Sequence, residues 1–140
     1  MKTASQLLSR KRTDFNVITP DTPVLKAIHH MGCANSDFVV VKAGELYLGI
    51  VTEADYTRKV VMRNQHERTL YARDIMNSNL PIVSTQDSVE KCMQLMQQFH
   101  VHYLPVFEEM DFVGIITMDD IIREALLDHD IFDRRAEQVA

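Results

Sequence analysis

The sequence has few cysteines and no long apolar run, and each absence excludes a class of protein. Two cysteines in 140 residues, Cys33 and Cys92, are too few for a disulfide scaffold or a four-cysteine zinc site. The longest apolar runs, such as residues 38–41 and 48–51, are about four residues long, whereas a transmembrane helix needs about 20. The first residues contain cations but no apolar stretch with a cleavage site. We therefore expect no membrane insertion, no signal peptide and a cytoplasmic location.

Positive charge is scarce overall but concentrated in one segment. The formal net charge is −5, and the proportions of 46% hydrophobic and 25% charged residues are those of a globular protein. Residues 57–73 nevertheless contain five cations and one acid. Such a segment can hold a phosphate or an acidic partner, but it is too short to follow a nucleic-acid duplex, so we expect no nucleic-acid partner. A solvated linker helix is the alternative.

The chain contains an internal repeat. A shift of 65 residues aligns residues 17–60 with residues 82–125 without a gap, and nine of these 44 positions are identical. The identical pairs include Gly49/Gly114, Thr52/Thr117, Asp55/Asp120 and Arg58/Arg123. A repeat of this length points to one structural unit that occurs twice.

Each copy predicts the element order β-α-β-β-α. The opening strands are expected at residues 16–19 and 81–84, and the first helix has an apolar stripe at i, i+3, i+4 and i+7. The last helices are expected to begin at Thr52 and Thr117. Copies of about 45 residues are too small to bury separate cores, so we expect an α/β (α+β) fold whose repeats pack with pseudo-two-fold symmetry. The domain boundaries are placed at residues 1–70 and 71–140.

Three motifs in this frame carry a family resemblance. Residues 49–55 recur as residues 114–120, residues 104–106 read Leu-Pro-Val in a middle strand, and residues 73–76 read Arg-Asp-Ile-Met before the second copy. Together they resemble the CBS domain, which occurs in pairs that form a Bateman module. The resemblance covers residues 16–127 and is closest to a stand-alone, bacterial-type pair.

The resemblance implies a regulatory function. Modules of this family have no catalytic activity of their own and require no cofactor, so we expect no enzyme. Many members bind adenosine-containing ligands in clefts between the repeats and form disc-like homodimers. The resemblance therefore implies an adenosine nucleotide as regulatory ligand (AMP first, with ADP, ATP or NAD(H) as alternatives), a homodimer, and an unidentified regulated protein.

The repeated Thr-x-x-Asp phrase is the main candidate site. Thr52 with Asp55, and Thr117 with Asp120, have the spacing of a capping box, in which both side chains satisfy helix amide groups. In the functional interpretation, the carboxylate accepts hydrogen bonds from the two hydroxyls of a ribose, because a vicinal diol matches two carboxylate oxygens. The two interpretations are compatible.

The remaining candidates surround this phrase. Arg58 and Arg123 lie one helical turn after the aspartates and are candidates for phosphate binding, with a solvated arginine as the better interpretation for Arg123. The resemblance places phosphate near His100 and His102, before the Leu-Pro-Val strand. Apolar and backbone groups of the opening strands, near Ile18 and Val83, would hold the adenine. The first copy has Asn-Ser-Asp where the second has His-Val-His, so we expect two unequal sites, or one.

Two other functions remain open. An interaction module with empty clefts would dock an enzyme or transporter without nucleotide. A redox-linked, NAD(H)-responsive module would use NADH as its ligand or Cys33 as a reporter. His100 and His102 would point to one face if both lay on a strand, but no further ligand has a recognisable metal-site spacing, so we expect no metal.

Overall fold

The two copies fold into the same series of elements. The computed structural model describes residues 2–10, 16–34, 36–64 and 69–127. The first copy contains β1 (Val17–Ile18), α2 (Val24–Ala34), β2 (Phe38–Ala43), β3 (Leu46–Thr52) and α3 (Glu53–Tyr56), which continues as a π-helical turn (Thr57–Val61). The second contains β4 (Val83–Ser84), α5 (Val89–Phe99), β5 (Tyr103–Glu108), β6 (Asp111–Thr117) and α6 (Met118–Leu127). Two short helices, α1 (Ala4–Ser9) and α4 (Ala72–Ile75), precede the copies. The predicted α+β class and element order are confirmed.

Each copy forms a three-stranded sheet with one parallel and one antiparallel pair. The orders are β1-β2-β3 and β4-β5-β6, with the short opening strand parallel to the middle strand. Both antiparallel pairs have a register shift at the same place, after Val41 and after Val106. The hairpin turns also match, since Gly44 and Glu109 both have a positive φ. The two copies therefore share their backbone irregularities, namely the register shift and the positive φ in the hairpin turn.

The apolar stripes predicted from the sequence form two separate cores, one in each copy, so the expectation that copies of this size cannot bury cores of their own is wrong. Val24, Ala27 and Met31 of α2 are buried against β2 and β3, and Cys92 and Met96 of α5 are buried in the second core. Each sheet therefore has one helix covering a face, as expected for an amphipathic helix on a sheet.

In space, the chain forms two compact units that do not follow its order strictly. Residues 16–34, 36–64 and 69–80 form the first unit, and residues 2–10 and 81–127 form the second. The boundary at residues 70 and 71 stays a prediction about the order of the repeats along the chain. The short helix after that boundary, α4, packs into the first unit, and α1 packs into the second.

The helices α1 and α4 have equivalent positions in the two units. The amide of Ala72 donates to the carbonyl of Thr22 at 2.8 Å, and the amide of Ala4 donates to the carbonyl of Asp87 at 2.8 Å. Both alanines are fully buried. A short helix therefore completes each unit, and neither helix lies within the aligned residues 17–60 and 82–125. None of the described helices is both long enough and apolar enough to span a membrane.

Candidate functional site

The Thr52–Asp55 pair forms a reciprocal cap at the start of α3. The amide of Asp55 donates to Thr52 Oγ1 at 3.1 Å, and the amide and hydroxyl of Thr52 both donate to Asp55 Oδ2 at 3.0 Å. These bonds satisfy amide groups that have no partner within the helix. The predicted cap is confirmed, and it uses one of the two carboxylate oxygens of Asp55.

The second oxygen of Asp55 contacts a lysine. Lys59 Nζ lies 3.3 Å from Asp55 Oδ1 and donates a hydrogen bond to the backbone carbonyl of Ile75 at 2.8 Å. The side chain of Asp55 is 14% exposed and that of Lys59 is 32% exposed. Lys59 therefore joins the start of the helical segment to the end of α4, within the first unit.

The second copy repeats the cap with a different surrounding. The amide of Thr117 donates to Asp120 Oδ2 at 2.8 Å, and the amide of Asp120 donates to Thr117 Oγ1 at 3.1 Å. Asp120 is buried. The residue four positions later, where the first copy has Lys59, is Glu124, so no lysine approaches Asp120 from that position.

The carboxylate of Glu124 forms ion pairs with two cations that flank α1. Its Oε2 lies 3.0 Å from Nη1 of Arg10, and its Oε1 pairs with Nζ of Lys2. Glu124 itself is buried, at 5% exposure. A buried carboxylate requires such partners, and here both come from the segment that completes the second unit.

In each copy, the first residue of the last helix is hydrogen-bonded to the residue that precedes the middle strand. The amide of Glu53 donates to the carbonyl of Asp37 at 3.1 Å, and the amide of Met118 donates to the carbonyl of His102 at 2.9 Å. The candidate carboxylates and the residues before β2 and β5 are thus close within each unit. The grouping of Asp120 with His100 and His102 as one ligand site stays a prediction.

The two histidines do not share a strand. His100 ends α5 in a left-handed conformation with φ of 53°, and its amide donates to the carbonyl of Met96. His102 lies before β5, which begins at Tyr103. The argument that they point to one strand face is therefore wrong, because the turn after α5 includes both. Both are exposed, and no group of three or more metal-binding side chains occurs among the described residues.

The strand residues proposed for adenine lie in the cores. Ile18 is 4% exposed and Val83 is 1% exposed, and each packs in the core of its own unit. A ligand at these strands would therefore meet the backbone and not the two side chains. Residues of this kind satisfy the apolar pattern of a strand and cannot be distinguished as ligand contacts from sequence.

The candidate cations differ in their surroundings. Arg58, in the π-helical turn, and Arg123, in α6, are exposed. The guanidinium of Arg73 lies 4.6 Å above the ring of Tyr71. The pKa of Asp21 is lowered, mainly by a hydrogen bond from the side chain of Thr19 and to a smaller extent by the charge of Arg73. Arg68 lies outside the described residues.

Sequence reasoning missed Lys59 as a residue of the site. The signal was available, since an acid and a lysine four positions apart on a helix are neighbours. Sequence reasoning named Arg58, three positions after Asp55, as the cation beside the carboxylate. The structure places Lys59, and not Arg58, against the carboxylate.

An open cavity of about 220 Å³ lies beside the first cap. Its lining consists of Met31, Gly32, Ser36, Asp37 and Glu53. Two carboxylates at its wall disfavour a phosphate, and the volume is below the range of about 300–1,000 Å³ that is usual for ligand pockets.

Comparison with known proteins identifies the family. The family model of the CBS domain matches residues 5–61 and 72–127, so the chain belongs to the CBS domain family and contains two CBS domains in tandem. CBS pairs are regulatory modules.

Known relatives and solved structures agree with this assignment. The chain is 31% identical over 116 residues to the mitochondrial CBS domain-containing protein CBSX3 of Arabidopsis thaliana, covering 79% of this chain and 56% of that protein. It therefore spans about half the length of the curated relatives it matches. A signal-transduction protein with CBS domains from Burkholderia ambifaria has a TM-score of 0.85 at 28% identity, covering 91% of this chain and 96% of that one. The hexameric CBS-CP12 protein of bloom-forming cyanobacteria has a TM-score of 0.76 at 24% identity, covering 95% and 74% respectively, and is similar in fold.

Proposed function

We propose that this CBS pair senses adenosine nucleotides, with AMP as the first ligand to test, and passes the signal to a partner protein. The observation that carries the proposal is the Thr117–Asp120 cap. It places an ionisable carboxylate at a helix start, beside the turn that precedes β5. A carboxylate has four lone-pair positions, of which the amide of Thr117 uses one, and a ribose diol has two donors.

The supporting arrangement is local to the second unit. Asp120 provides the acceptor for the ribose, and the backbone of β4 near Val83 provides edge groups for the adenine. His100 and His102, exposed before β5, provide donors for the phosphate. Asp55, Arg58 and the backbone near Ile18 are the matching groups of the first unit, where the carboxylates around the small cavity oppose a phosphate.

Binding transmits a signal only if the ligand prefers one of two conformations of the protein. The proposal therefore includes two states that differ in affinity for AMP. No catalytic step is part of it. We keep a cytoplasmic location within the proposal, since adenosine nucleotides are available there.

The test is calorimetric titration with AMP, ADP, ATP and NADH. We expect the Asp120→Asn variant to bind AMP at least about tenfold more weakly, because it loses the charge and one acceptor oxygen while the amide oxygen still caps the helix. Glu108→Gln, an exposed change in the same unit, is the control and should leave affinity unchanged. Unchanged affinity in Asp120→Asn would overturn the ribose assignment. Tighter binding of NADH than of AMP would favour the NAD(H)-responsive alternative.

The homodimer belongs to the same proposal. Exposed apolar side chains lie on α5 and α6, which pack together: Met93, Phe99, Ile122 and Leu126. Ile122 and Leu126 are four positions apart and thus share a helix face. We expect Ile122→Glu to shift the mass measured by light scattering towards the monomer. Gln98→Glu adds the same charge at an exposed polar position and should not.

The same apolar positions support the second candidate function, an interaction module that docks a protein. The melting temperature with nucleotides and the capture of a partner protein distinguish it from the nucleotide sensor. If none of the nucleotides raises the melting temperature while Ile122→Glu abolishes capture of a partner, the module acts by docking alone.

A further inference from the structure

Residues 2–10 form an N-terminal arm that packs on the second unit, although the other residues of that unit begin only at position 81. Three backbone hydrogen bonds attach the arm to the residues that lead into α5: from the amide of Ala4 to the carbonyl of Asp87 at 2.8 Å, from Ser5 to Thr85 at 3.0 Å, and from Val89 to Lys2 at 3.0 Å. The side chains of Ala4 and Leu7 are buried. The first residues of a domain are usually poorly ordered unless contacts of this kind hold them. The docked position of the arm therefore depends on these contacts.

One buried carboxylate holds both ends of the arm. Glu124 pairs with Lys2 before α1 and with Arg10 after it, where Nη1 lies 3.0 Å from Oε2. The side chain of Glu124 is 6% exposed, whereas those of Lys2 and Arg10 are 39% and 55% exposed. Because the two cations are in contact with solvent, salt screens their attraction to Glu124. The arm is therefore held in part by interactions that the ionic environment weakens.

Glu124 lies on the same helix as the second Thr-x-x-Asp cap. Asp120 and Glu124 are four positions apart in α6, so their side chains share a face of the helix, and both residues are buried. The cap with Thr117 fixes the first turn of α6, and the ion pairs of Glu124 fix the next turn to the arm. A change in the position of the arm therefore acts on the helix that carries Asp120.

We propose that the arm regulates the nucleotide site of the second unit: when docked through Glu124 it holds α6 in the position in which Asp120 binds ribose, and its release lowers the affinity for AMP. This inference rests on the proposed nucleotide function. The docked and the released arm are the two states between which the ligand discriminates. Since such coupling is reciprocal, AMP must favour the docked arm by the same factor by which docking raises the affinity for AMP.

The first unit provides an internal control. There α4 is attached by an equivalent hydrogen bond, from the amide of Ala72 to the carbonyl of Thr22 at 2.8 Å. Lys59, and not Glu124, is the charged residue that contacts the end of this helix. The exchange of the Ala72 amide hydrogen with deuterium therefore reports on an attachment of the same kind that does not depend on Glu124.

The first measurement is amide hydrogen exchange, followed by NMR. The amide of Ala4 reports release of the arm. The amide of Cys92, which donates to the carbonyl of Ser88 at the start of α5, reports unfolding of the unit. In wild type we expect Ala4 to exchange at least about tenfold faster than Cys92, after correction for intrinsic rates, because release of the arm requires less than unfolding. Raising sodium chloride from about 0.05 M to about 0.5 M should speed the exchange of Ala4 at least about threefold and leave that of Ala72 unchanged.

Two variants weaken the attachment from opposite sides. Glu124→Gln removes the shared carboxylate charge, and Arg10→Gln removes one of the cations while Glu124 stays intact. In each variant, Ala4 should exchange at least about threefold faster than in wild type, and calorimetry should give an affinity for AMP that is at least about threefold lower. Glu108→Gln, an exposed change in the same unit, is the control and should match wild type in both measurements. Thermal melting checks that each variant is folded.

Saturating AMP completes the test. It should slow the exchange of Ala4 in wild type at least about threefold, as reciprocity requires. If AMP binds to wild type, leaves the exchange of Ala4 unchanged and binds equally well to Glu124→Gln and Arg10→Gln, regulation by the arm is overturned and the nucleotide function stands. Equal exchange rates of Ala4 and Cys92 in wild type would overturn release of the arm. If AMP does not bind to wild type, the proposed function and this inference fail together.

Discussion

Lys59 and Glu124 occupy equivalent positions in the two repeats and fasten equivalent helices with opposite charges. Lys59 donates to the carbonyl of Ile75 at the end of α4, and Glu124 pairs with Lys2 and Arg10 on either side of α1. In each unit, one charged residue therefore holds the short helix in place: Lys59 of the π-helical turn holds α4, and Glu124 of α6 holds α1. This position therefore has the same structural role in both repeats, although its charge is positive in the first and negative in the second.

The ion pairs of Glu124 are expected to stabilise the second unit. Glu124→Gln removes the charge while keeping the shape, and should lower the free energy of unfolding by about 1–2 kcal/mol, since Lys2 and Arg10 remain partly hydrated. Urea denaturation measures the change. Glu108→Gln, at an exposed position in the same unit, is the control. Equal stability of wild type and Glu124→Gln would show that these pairs contribute nothing.

The two equivalent glycines should differ in their tolerance of alanine. A Cβ at Gly49 would lie 2.5 Å from the carbonyl oxygen of Asn77, which is backbone and paired with Ile50. A Cβ at Gly114 would lie 3.0 Å from Cδ2 of Leu8, a side chain that can rotate. We expect Gly49→Ala to cost about 2–3 kcal/mol and Gly114→Ala clearly less. Thermal denaturation of both variants gives the comparison, and a reversed order would contradict the close approach at Asn77.

Cys92 should be unreactive in the folded protein. Burial raises the pKa of its thiol to about 11. At about pH 8 only about one molecule in a thousand then carries the thiolate, which is the reactive form. In a Cys33→Ser background, we expect Ellman's reagent to label Cys92 rapidly in urea and very slowly without it. Rapid labelling of the native protein would place this thiol outside the core.

Asp87 should contribute to stability at neutral pH and not in acid. Hydrogen bonding from the amide of Ser84, at 2.8 Å, lowers the pKa of this carboxyl, and Lys91 contributes to a smaller extent. Because the pKa is lower in the folded state than the ordinary value of an aspartate, this stabilisation is present above the ordinary value and is lost as the pH falls through the folded pKa.

The measurement compares Asp87→Asn with wild type in urea at two pH values. The variant should be less stable than wild type at pH 7, and the difference should shrink at about pH 2. Asp111→Asn, an exposed change in the same unit, controls for a general effect of charge. A difference that does not depend on pH would assign the effect to geometry alone.

The sequence predicts the repeated elements well because their signals are local. Apolar stripes at helical spacing and short β-branched runs recur at a fixed distance of 65 residues, and the first residues of α2 and α5 are also 65 positions apart. Both Thr-x-x-Asp caps follow from the same spacing rule and form as predicted.

Other features depend on contacts that no local pattern contains. The helices α1 and α4 have only six and four residues, and they become recognisable as equivalents only through the units into which they pack. The left-handed end of α5 at His100 has no local signal in the sequence, because glycine usually fills such a position. The contact of Lys59 with Ile75 joins residues 16 positions apart.

The most direct test of the account is the melting temperature of the purified protein with and without AMP. A ligand that binds only the folded state stabilises it by about 2.7 kcal/mol at a hundred times its dissociation constant. The account predicts a clear rise with AMP in wild type and a smaller one in Asp120→Asn at the same concentration. No rise with AMP, ADP, ATP or NADH would contradict the nucleotide function and leave the two Thr-x-x-Asp phrases as helix caps.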